Sequence, residues 1–97
     1  MAVELKLIAV TDEELLQKVK ELNDYGEYDL DDNKLMSLID DAKNYLRAAD
    51  IAEVLIESNM AVVVIADYVD SVSRKEPISD FALGKISQLK VVSYRYE

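Results

Sequence analysis

The sequence contains no histidine and no cysteine. Without histidine the chain lacks the usual side chain for proton transfer near neutral pH, and without cysteine it has no disulfide, thiolate nucleophile or thiolate metal ligand. Ser-His-Asp and Cys-His catalysis and the histidine-based metal motifs are therefore excluded. A catalyst built on carboxylates, Lys or Tyr stays formally possible, but no catalytic, cofactor-binding or metal-binding residue is expected. Glycine occurs twice and proline once, too few breakers for a disordered chain. The two glycines, Gly26 and Gly84, lie too far apart in sequence to form a glycine-rich phosphate cradle. Long apolar runs are also missing. The longest uncharged stretch, Ser58 to Ala66, is about half of what a membrane span requires, and the N-terminus has no basic segment leading into an apolar one, so neither a signal peptide nor a membrane segment is expected.

What is present is a globular composition: 97 residues, 51% apolar and 32% charged. That length fits one domain, expected as an extended arm at 1–10, a helical bundle at 11–90 and an extended tail at 91–97. Net charge is −9 and unevenly spread. Between residues 21 and 41 Lys34 stands alone against Glu21, Asp24, Glu27, Asp29, Asp31, Asp32, Asp40 and Asp41, a net of −7. From 74 to 97 five bases oppose three acids, a net of +2. A duplex-binding protein needs a basic footprint, and none is visible, so sequence-specific DNA binding is not expected.

Hydrophobic spacing gives a mainly α fold. Leu5 and Leu7 alternate with Glu4 and Lys6, the pattern of a short extended arm. Thr11-Asp12-Glu13-Glu14 has the form of a capping box, and Leu15, Leu16, Val19 and Leu22 then predict a helix over about 12–23. After a polar connection, Asp31 or Asp32 can cap a second helix, with Leu35, Leu38, Ile39, Ala42, Tyr45, Leu46 and Ala49 on one stripe. Ile51 to Glu57 has room for a helical turn. Val62-Val63-Val64-Ile65 fits a buried strand as well as a helix by periodicity alone. A cap at Ser58 or Asn59, the continuation through Tyr68, Val69 and Val72, and Pro77 beyond it favour a central helix, apolar around much of its girth. Ser79 or Asp80 can cap a last helix, Phe81 to about Lys90, weakened by Gly84. Val92, Tyr94 and Tyr96 alternate with Ser93 and Arg95, which predicts an extended tail. The expected architecture is a small four-helix bundle with short extended ends.

Two clusters invite a chemical reading. Asp29, Asp31, Asn33 and Asp40 fall at calcium-loop positions, but Lys34 occupies the position that needs glycine, and a helical stripe begins at Leu35, so a capped helix start is the better account. Tyr94, Arg95 and Tyr96 are residue types enriched at interfaces. They can pack on the domain itself or dock on a partner.

The capped Thr11-Asp12-Glu13-Glu14-Leu15-Leu16, the acidic loop Asp29 to Asp32 and Leu38-Ile39-Asp40-Asp41-Ala42-Lys43-Asn44-Tyr45-Leu46 resemble the start of the head–tail connector proteins of tailed bacteriophages and prophages. Ala61 to Tyr68 with Val69-Asp70, and Ile86-Ser87-Gln88-Leu89-Lys90, resemble the family's later helices. The chain departs from the family in lacking the His-Trp-Tyr cluster before the acid and in carrying Lys90 where arginine is usual. The resemblance implies a non-enzymatic subunit of a ring at the virion neck, made in the host cytoplasm and needing no cofactor. It would dock under the portal protein after packaging and meet a stopper or tail-completion protein, with DNA only as passing cargo. Contacts are then expected from the arm (Val3, Leu5, Leu7) and the tail (Tyr94, Arg95, Tyr96). Asp29, Asp31 and Asp32 become candidate channel-facing acids that repel DNA phosphates. The alternative is a small acidic adaptor or regulatory protein, antitoxin-like or a DNA mimic, binding a basic partner through residues 21–41.

Overall fold

The computed structural model describes residues 7–26 and 31–95. Among these, five α-helices follow one another: α1 (Asp12–Leu22), α2 (Asp32–Ala48), α3 (Glu53–Ile56), α4 (Val62–Ser73) and α5 (Asp80–Ser93), with a 3-10 turn (Asn59–Ala61) leading into α4. The fold is mainly α, with no strand among the described residues.

Helices α1 and α2, the 3-10 turn and α5 each start at a side-chain oxygen placed where backbone N–H groups lack partners, whereas α3 and α4 follow Ala52 and Ala61 without a side-chain cap. Thr11 Oγ accepts from Glu14 N at 3.1 Å, and Glu14 reaches back to Thr11 N to complete the capping box of α1. Asp31, rather than Asp32, caps α2 through Lys34 N at 2.8 Å. Ser58 caps the 3-10 turn, and Ser79 caps α5 through Ala82 N at 3.1 Å.

The ends of α1, α2 and α4 follow a single pattern. Asp24, Asp50 and Lys75 have φ of 55°, 62° and 58°, the left-handed conformation that reverses the chain just past α1, α2 and α4. In each case the following N–H bonds five residues back: Tyr25 to Lys20, Ile51 to Leu46 and Glu76 to Ser71. A second bond closes inside it, from Asp24 to Glu21, Asp50 to Arg47 and Lys75 to Val72. These are three Schellman motifs. Glycine is the residue that fits this position without strain, and the chain uses none there.

The core is organised around α4. It packs against α1, α2 and α5, and its Val62, Val64, Ile65, Ala66 and Val69 are buried on several sides. Leu15 and Val19 of α1, and Leu35, Ile39, Ala42 and Leu46 of α2, close on it, with Ile51, Leu55 and Ile56 sealing one end. The valine run is thus helical and central, as its flanks predicted. Tyr45 and Tyr68 meet across α2 and α4 in a tilted ring contact with centroids 5.3 Å apart, a favoured geometry for aromatic pairs.

The described residues before α1, 7–11, are extended. Ala9 and Ser58 form an isolated antiparallel bridge, Asn59 N donates to Ile8 O at 2.8 Å, and Ile8 N donates to Asn59 Oδ1 at 3.0 Å. Leu7 and Val10 turn toward the core.

The C-terminal segment departs from expectation. Helix α5 does not stop near Lys90 but runs through Val91 and Val92 to Ser93, and Tyr94 and Arg95 form a closing turn. The predicted extended tail is therefore helical through its first residues. The reason lies at Ser93, which extends the inward spacing of Ile86 and Leu89 by another turn. Its hydroxyl is buried and accepts the Ala52 N–H at 3.0 Å. A polar residue read as outward is an inward anchor.

Candidate interaction surface

The sequence-predicted contact residues are spread over the molecule. Val3, Leu5, Asp29 and Tyr96 lie outside the described residues. Leu7 is half-buried against the core, whereas Tyr94 and Arg95 are exposed at the end of α5. Asp31 spends one carboxylate oxygen on its cap. Asp32 pairs with Lys20 of α1 at 2.6 Å, which ties the two helices together. Both acids remain exposed, so each combines a structural contact with a solvent-facing charge.

A charged cluster holds the opposite side. Lys43 is buried, and its Nζ donates to Glu57 at 3.0 and 3.1 Å and lies 3.4 Å from Asp12. Burial opposes the charge on Lys43, but the hydrogen bonds and charges of Glu57 and Asp12 outweigh it and hold its pKa above the ordinary lysine range. Beside it Arg47 forms a two-pronged pair with Glu53 at 2.6 and 2.9 Å. Those hydrogen bonds hold the Glu53 carboxyl below its ordinary range. This cluster joins α1, α2 and α3 and has an internal partner for every charge, so it reads as a clasp.

A third polar cluster pins the α1–α2 connection to α4. Tyr25 Oη donates to Asp70 Oδ1 at 2.9 Å, Arg74 binds the same carboxylate at 3.1 Å, and Asn23 Nδ2 donates to Ala66 O at 2.9 Å. Desolvation is the main reason that the Tyr25 phenol is held above its ordinary range. Ser79 donates to Asp67 and fixes the corner between α4 and α5.

The unsatisfied surface is apolar and centres on α5. This helix and its cap expose Phe81 (58%), Leu83 (45%), Val91 (68%) and Tyr94 (69%), while Ala82, Leu89 and Ser93 are buried on its inner side. Beside it, α1 and α4 leave a shallow groove. One hollow of about 340 Å³ is lined by Lys18, Glu21, Leu22, Asn59, Val62 and Val63. A second, of about 180 Å³, shares Leu22 and Val63 and reaches Asp67 and Phe81. Lys85 lies over the Phe81 ring, 5.6 Å from its centroid, and borders a further apolar hollow with Met60 and Val91. Periodicity had placed Leu22 on the core stripe of α1, yet it is 55% exposed. The one advance signal for this surface was that apolar residues in α5 recur on all sides of the helix.

Among the described residues no group of three or more potential ligands is placed to hold a metal ion, and no helix is long and apolar enough to cross a membrane. Comparison with protein-family models, curated proteins and solved structures found no match in any of the three.

Proposed function

We propose that this chain is a structural, non-enzymatic subunit of a phage head–tail connector. It docks under the portal protein after DNA packaging, forms part of the DNA channel at the virion neck, and receives a stopper or tail-completion protein. In this reading α1, α2, α4 and α5 are the four-helix bundle and α3 with the 3-10 turn is its corner. The observation that carries the proposal is α5. The apolar residues of α5 are spread around the helix rather than gathered on one face, so burying Ala82 and Leu89 leaves Phe81, Leu83, Val91 and Tyr94 on the surface of the isolated chain. Such a surface suits a subunit whose interior is completed by assembly. The resemblance of the capped first helix, acidic loop and second helix to the connector family supplies the kind of assembly.

Electron microscopy of particles made when the gene is inactivated in its phage or prophage tests this. Filled or emptied heads without tails are expected. Complete, tailed virions would remove the connector reading and leave an acidic adaptor that binds a basic partner.

A further inference from the structure

We infer that the outer ridge of α5 docks in the α1–α4 groove of a second copy of this chain, head to tail. This rests on the connector reading and names the two surfaces that meet in its ring.

The ridge is Leu83, Val91 and Tyr94, spaced to fall along one outward side of α5, away from the buried Ala82, Leu89 and Ser93. The groove presents exposed Leu22 and Val63 between two helices, with Phe81 at its far end. Each is an apolar surface without cover, and a helix ridge laid in an apolar groove is a standard mode of recognition. Charge selects the occupant. From Asp80 to Arg95 three bases (Lys85, Lys90, Arg95) face one acid, and the rest of the chain holds −11 of the total −9. Glu21 and Asp67 line the groove with Lys18 as its one base, and the turn after α1 adds Asp24, so the acids there outnumber the base. The ridge of one copy therefore meets opposite charge on the body of the next. A parallel pairing of α5 with α5 about a two-fold axis would instead set Lys90 and Arg95 near their own counterparts, which like-charge repulsion opposes. Because ridge and groove are different surfaces, each copy keeps one of each free, and the contact propagates into a ring or a filament.

The absence of cysteine makes the test clean. Val63→Cys (groove) and Val91→Cys (ridge) each introduce a single thiol at an exposed position. A short bismaleimide is applied to concentrated protein and to particles assembled in cells that express both variants. Cross-linked dimers are expected from the mixture and from neither variant alone, and adding Arg95→Glu should lower their yield several-fold. Dimers from Val91→Cys alone would overturn the contact in favour of a two-fold one, and no dimers in either setting would overturn self-docking. The connector reading fails separately. Missing cross-links together with tailless heads on gene inactivation reject only this contact, whereas cross-links together with complete virions reject only the connector.

Discussion

At the scale of single residues, the energetics turn on groups held where their chemistry resists being held. Lys75 adopts a left-handed conformation that costs a residue with a Cβ about 1 kcal/mol, and its side chain is exposed and forms no ion pair among the described residues. Lys75→Gly should raise stability by about 0.5–1 kcal/mol in urea titration; a loss would mean that the lysine makes a contact that outweighs its strain. Lys43 presents the reverse asymmetry. Its ammonium is buried, whereas Asp12 and Glu57 have side chains 72% and 41% exposed. Removing the cation by Lys43→Met leaves two acids that water can solvate, so the change should stay within about 1 kcal/mol. Removing the acid by Glu57→Ala strands a buried cation beside one distant carboxylate and should cost roughly 1–3 kcal/mol. Equal losses for the two variants would contradict this account. Because the folded pKa of Lys43 is raised, its contribution is complete below the ordinary lysine range and is lost as pH rises through the raised value. The pKa of the Glu53 carboxyl is lowered, so its contribution is present above the ordinary glutamate range and fades as pH falls through the folded value. The two effects bracket a stable interval.

At the scale of elements, legibility followed the kind of signal. Helix starts were readable because a cap is a residue type at a position: Thr11 with Glu14, Asp31, Ser58 and Ser79 were all named in advance as candidates. Helix ends were less so, because the usual glycine signal is replaced by Asp24 and Asp50, of a type that serves equally at helix starts, and by Lys75, of a type that marks no turn. The end of α5 was misplaced because Val92, Tyr94 and Tyr96 imitate the period of a strand, and only tertiary packing reveals that the Ser93 hydroxyl faces inward. The groove was hidden for a related reason. Spacing identifies Leu22 and Val63 as apolar but says nothing of how far neighbouring helices extend to cover them. Of the predicted surface, Tyr94 and Arg95 lie exposed at the end of α5, but Phe81, Leu83 and Val91 were not singled out. Gly84 in this helix meets nothing within 4 Å of where a Cβ would stand. Gly84→Ala should therefore stabilise the isolated chain by about 0.5–1 kcal/mol through the backbone entropy of the unfolded state, measured as an upward shift in melting temperature. A destabilised monomer would imply that α5 needs the freedom of glycine.

At the scale of the whole molecule, a single apolar helix, α4, is packed by α1, α2 and α5, polar clasps fix its flanks, and the acidic excess is concentrated between residues 21 and 41. In the connector reading that asymmetry has a mechanical use, since an acidic channel wall repels passing phosphates. The triple substitution Asp29→Asn, Asp31→Asn and Asp32→Asn tests it. Asparagine preserves the cap at position 31, so the fold should persist with the loss of the Lys20–Asp32 pair. DNA ejection from assembled particles should slow. Unchanged ejection and assembly would leave these acids with solubility and capping roles alone. The central claim is location, and immunogold electron microscopy of purified virions, with antibody raised against this chain, addresses it most directly. Label confined to the head–tail junction is the predicted result; label elsewhere on the particle, or its absence from intact virions opened to expose the neck, would contradict it.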